Sequence, residues 1–63
     1  METLPGVSFN LAGEDLLVLT KLLEAEQSRL LVEIRHTDHR SFREELRRRL
    51  SIVERMIDLC RTH

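Results

Sequence analysis

The sequence predicts an all-α antiparallel two-helix hairpin with a short non-helical N-terminal arm, completed to a four-helix bundle by forming a homodimer. Three observations predict it. Apolar residues recur at spacings of three and four along two long stretches, the signature of a helix with one buried face. Both glycines and the single proline fall within the first 13 residues, so no strong helix breaker follows. Between the two stretches lies the polar run His36-Thr37-Asp38-His39-Arg40-Ser41, which is long enough only to reverse the chain.

With 63 residues the chain is one small domain, and its composition of 41% hydrophobic and 33% charged residues with two Phe, no Tyr and no Trp is helical rather than β or disordered. Residues 1–12 read as the arm. Pro5-Gly6 is a breaker pair, and Val7, Phe9 and Leu11 alternate with Ser8 and Asn10. That alternation suits an apolar segment lying across the helices, because a lone strand cannot satisfy its own backbone hydrogen bonds. The hairpin occupies 13–61, with helix one near 13–36, the turn near 37–40 and helix two near 41–61.

Helix one opens with Glu14 and Asp15, placed where the positive end of the helix dipole favours acids. Ala12, Leu16, Leu19, Leu23, Gln27, Leu30 and Ile34 make one coherent face, widened by Leu17 and Leu31. Val18, Leu22, Ala25, Arg29 and Val32 form a second series on roughly the opposite side. A helix apolar on two faces needs neighbours on both.

In the break, Ser41 with Glu44 has capping-box spacing, and Thr37 or Asp38 would start the second helix earlier. A tight turn around Thr37-Asp38 is the expectation. Phe42, Leu46, Leu50, Val53, Ile57 and Cys60 then form the stripe that meets helix one, with Ile52, Met56 and Leu59 as a shoulder. Glu44 and Glu45 each precede an arginine by four residues, Arg48 and Arg49, a spacing that supports a helix by a few tenths of a kcal/mol.

Two helices of roughly 23 residues, each about 35 Å long, share a single seam. Val18, Leu22, Val32, Ile52, Met56 and Leu59 lie outside it and would form a patch that soluble monomers rarely expose. They are the expected self-association surface of a homodimer, with a tetramer or a protein partner as variants.

The run Glu33-Ile34-Arg35-His36-Thr37-Asp38, followed by Phe42-Arg43, Leu46 and Arg49, resembles a group of short uncharacterised bacterial proteins. In these a leucine-rich helix ends in E-I-x-x-T-D and a second opens with F-R-x-x-L-x-x-R. The resemblance covers about half of the chain and implies the same hairpin, without an activity or functional residues. In physical terms Phe42 is expected to plug the closed end, Arg43 and Arg49 to flank the seam, and Arg43 to sit within reach of Glu33.

Chemistry-bearing clusters are few. His36, Asp38 and His39 offer two imidazoles and a carboxylate, a set a divalent metal accepts, yet the only other histidine is His63 and the cluster reads first as capping and solvated residues. No metal and no cofactor is expected. Arg40, Arg43, Arg47 and Arg48 make the turn end basic within a net charge of −1, so a bundle contacting RNA, like those of the ROP type, is the rival reading. Glu44 and Glu45 in the same stretch and the absence of Tyr and Trp weigh against nucleic acid. Ser41, Ser51 and Cys60 are nucleophiles without an evident concave pocket, so no enzymatic activity is expected, and Cys60 reads as core packing. One cysteine allows no intrachain disulfide, and the longest apolar run is Leu16-Leu17-Val18-Leu19, so a cytoplasmic protein without a membrane span is expected.

Overall fold

The computed structural model describes residues 12–62, which form two α-helices, α1 (Gly13–His36) and α2 (Arg40–Arg61), joined by the extended residues Thr37, Asp38 and His39. The two helices pack antiparallel against each other as a hairpin. Residues 1–11, where the arm and its alternating pattern were expected, lie outside the described residues, as does His63.

Helix α1 begins at Gly13, whose φ of +59° is the left-handed conformation that glycine adopts without steric cost. Its first turn carries Glu14 and Asp15 and its last turn Arg35 and His36, so both ends complement the helix dipole. Helix α2 starts one residue earlier than expected, with His39 in the N-cap position and the Arg43 N–H donating to the His39 carbonyl at 2.9 Å. No side chain caps this end. The expected Ser41–Glu44 capping box does not form, because Ser41 already lies within the helix and its hydroxyl is past the cap position. At the other end the Thr62 N–H and hydroxyl both bond to the Asp58 carbonyl, closing the last turn.

The seam follows the three-and-four spacing. Leu30, Leu46, Val53 and Ile57 are buried, and Leu23, Ile34 and Leu50 pack against them half-buried. Leu30 is the only fully buried side chain among the described residues, at 0% exposure. Phe42 departs from the expected stripe: it is 49% exposed rather than plugging the closed end. At about 100° of rotation per residue, Phe42 lies toward one edge of the seam defined by Leu46 and Leu50.

A core of four buried side chains makes each one costly to truncate. Leu30→Ala is expected to destabilise the fold by about 2–5 kcal/mol, whereas Leu31→Ala, at the neighbouring exposed position, costs less than about 1 kcal/mol. Chemical denaturation of the two variants measures the contrast; similar losses would contradict the seam.

Candidate self-association surface

The two helices face each other along one line, so the hairpin has two broad sides. On the first, the Gln27 amide donates to Glu54 at 3.1 Å and Arg61 lies 3.6 Å from Glu24. On the second, Arg29 and Glu33 of α1 line one hollow with Phe42, Glu45 and Arg49 of α2. Helical spacing extends this second side along both helices. Leu22, Glu26, Arg29 and Glu33 follow one another at steps of four, three and four, and Glu45, Arg49, Ile52, Met56 and Leu59 at four, three, four and three.

All six residues expected to form the association surface are exposed, Leu22 and Leu59 the most at 63% each. The structure does not bring all six together. Leu22, Ile52, Met56 and Leu59 share the second broad side, with Val18 at its open end one turn before Leu22. Val32 points to the outer side of α1 near the turn and stands apart. Leu17, Leu31 and Phe42 are further exposed apolar side chains not anticipated as part of the surface. Among the described residues nine large apolar side chains are thus exposed against four that are buried. No helix among the described residues is long and apolar enough to cross a membrane.

Toward the turn the second side is charged. The Arg29 guanidinium donates to both carboxylate oxygens of Glu26, at 2.7 and 3.0 Å, and to Glu33 at 3.1 Å. The hydrogen bonds from Arg29 hold the Glu26 carboxyl below its ordinary value of 4.5, and Glu26 in turn raises the Arg29 pKa. Glu33 is therefore engaged within α1 and is not the partner of Arg43.

Arg43 closes the turn instead. Its Nε and Nη2 donate to the Thr37 carbonyl at 3.2 and 2.7 Å. Thr37 is the C-cap of α1, so the guanidinium satisfies a carbonyl that the helix leaves without an internal donor. Of the four arginines considered for anion contact, Arg43 is therefore half-buried and occupied. Arg40, Arg47 and Arg48 are exposed and, among the described residues, form no ion pair. Glu44–Arg48 and Glu45–Arg49 also stay apart at the expected four-residue spacing. Among the described residues no group of three His, Cys, Asp or Glu converges on a metal-sized site, so His36, Asp38 and His39 are not gathered as ligands. Cys60 is half-buried at the open end and is a free thiol.

No protein-family model, curated protein or solved structure matches the chain.

Two outcomes follow from these contacts. Arg43→Ala is expected to cost about 1–3 kcal/mol, and Arg43→Lys recovers only part of it because an ammonium lacks the planar fork; exposed Arg47→Ala stays within about 0.5 kcal/mol. Equal melting temperatures for the Arg43 and Arg47 variants would contradict the turn-closing role. For the Glu26–Arg29 pair, a lowered folded-state carboxyl stabilises above the ordinary glutamate range and loses that contribution as pH falls through the folded value. Glu26→Gln should accordingly melt slightly below the parent at pH 7, the gap narrowing as pH falls below the ordinary glutamate range and being small throughout because the pair is exposed. A gap that does not narrow with falling pH would show that the side chain acts through packing.

Proposed function

We propose that this protein is a small non-enzymatic interaction module that works by self-association, two hairpins joining as a homodimeric four-helix bundle. One observation carries the reading: the exposed apolar residues concentrate on one broad side, where α1 contributes Val18 and Leu22 and α2 contributes Ile52, Met56 and Leu59. Helices that are apolar beyond their mutual seam bury the remainder against further helices, and a second hairpin supplies two. The resemblance in the turn motif agrees with the hairpin unit and adds no activity.

A second reading, contact with RNA through the turn end, is favoured by the three exposed arginines Arg40, Arg47 and Arg48 that lack acidic partners among the described residues. It is compatible with a dimer, which would present the set twice. Electrostatic binding of this kind weakens steeply with salt.

Sedimentation equilibrium at micromolar concentration is expected to give twice the 7.4 kDa chain mass. Leu22→Glu and Met56→Glu each weaken the dimer at least about tenfold, while Ser51→Glu, an exposed position on the outer face of α2, leaves it unchanged. A folded monomer for the parent protein would end the reading. RNA retention at low salt that disappears in Arg47→Ala/Arg48→Ala, with the dimer intact, would move the function to the second one.

A further inference from the structure

The apolar side is not uniform along its length, and that gradient selects an orientation for the second copy. The Gln27–Glu54 and Glu24–Arg61 contacts and the three-residue link hold the helices antiparallel, with the first half of α1 beside the second half of α2. From the middle of the hairpin to its open end this side is dominated by Leu22, Ile52, Met56 and Leu59. From the middle to the turn it carries Arg29, Glu33, Glu45 and Arg49.

Two arrangements with two-fold symmetry place this side against the same side of a second copy. If the axis runs parallel to the helices, both turns lie at one end, and α1 of each copy faces α2 of the other. If the axis runs across the helices, the turns lie at opposite ends, and each helix faces its own counterpart. In the second arrangement the apolar open half of each copy lies on the charged turn half of the other. Leu22, Met56 and Leu59 then face that charged half, which costs desolvation without a partner. In the first, the apolar open half of each copy meets the open half of the other, and the turn halves meet where Arg29 and Arg49 find carboxylates in Glu33 and Glu45.

Net charge points the same way. Helix α1 holds five acidic residues against three Lys and Arg, and α2 holds seven Arg against four acidic residues. Placing α1 on α2 joins opposite signs, whereas placing each helix on its counterpart joins like signs, a juxtaposition that interfaces select against. The available area suits a dimer. The 22 residues of α2 extend about 33 Å, and two helices with axes about 9 Å apart present a width of about 20 Å. The resulting face of roughly 650 Å² is of the order of the ~800 Å² per partner that a stable interface buries.

We propose that the second copy docks with its turn at the same end of the bundle, so that apolar open ends meet and α1 of each chain lies on α2 of the other. This inference rests on the self-association reading.

A spin label at the turn tests it on the full chain. Asp38 is exposed, so Asp38→Cys in a Cys60→Ala background carries one label per chain, and Ser41→Cys, also exposed, serves if the first variant folds poorly. Sedimentation of the same labelled sample reports its state. The expected result is a dimer with an interlabel distance below about 20 Å, given adjacent axes about 10 Å apart. A dimer with labels separated by about 33 Å or more, the length of a helix, overturns the orientation and leaves self-association standing. A labelled monomer, with unlabelled parent also monomeric, overturns both.

Discussion

Two parallel cylinders touch along one line, and this geometry limits what the hairpin can bury. The line accommodates Leu30, Leu46, Val53 and Ile57, with Leu23, Ile34 and Leu50 at its margins. Every other apolar side chain on either helix meets solvent unless another surface arrives. Since a small chain buries a smaller share of its surface than a large one, a hairpin of this length has little stability in reserve from which to tolerate that exposure. The exposed apolar residues are therefore what the hairpin leaves uncovered. Five of them, Val18, Leu22, Ile52, Met56 and Leu59, share one broad side, while Leu17, Leu31 and Val32 lie elsewhere on α1.

Polar contacts set the shape within which that surface is displayed. Arg43 ties the end of α1 to the start of α2 through the Thr37 carbonyl, performing locally what a capping side chain does elsewhere. Gln27 and Glu24 of α1 reach Glu54 and Arg61 of α2 on the side away from the apolar patch. The Glu26–Arg29–Glu33 cluster pairs charges within a single helix. Being exposed, these pairs contribute little to stability one by one. They matter more by fixing register and by keeping charge at the turn end of the apolar side.

Much of this architecture was legible in the sequence, because helical period and the placement of breakers are local properties. The bounds of helix one at 13–36, a short reversal after it and the pairing of the Leu30 face with the Leu46 face follow from spacing alone, while the turn is one residue shorter than the expected 37–40. Val18, Leu22, Val32, Ile52, Met56 and Leu59 were likewise legible as exposed positions, since they fall outside the seam on both helices. What spacing could not give was which positions from different helices share a side. Val32 belongs to the same periodic series as Val18 and Leu22, yet the drift of an α-helix past a heptad repeat carries it outward. The roles of Phe42, Arg43 and Ser41 were misread for a related reason. Ser41 and Arg43 depend on how the chain enters α2, where a one-residue shift exchanges cap for first turn, and Phe42 depends on its place at the edge of the seam. Arg43 did carry a signal: an arginine one turn into a helix that follows a three-residue reversal is within reach of the preceding helix's free carbonyls.

If association completes the core, folding and assembly are one equilibrium, and stability must depend on protein concentration. Thermal unfolding followed by circular dichroism from about 1 to 100 µM reads this coupling. The account predicts a melting temperature that rises steadily across the range, by several degrees for a domain of this size. A cooperative transition at one temperature throughout, with the parent protein sedimenting as a single chain, would show that the hairpin is stable with its leucines wet and would contradict it.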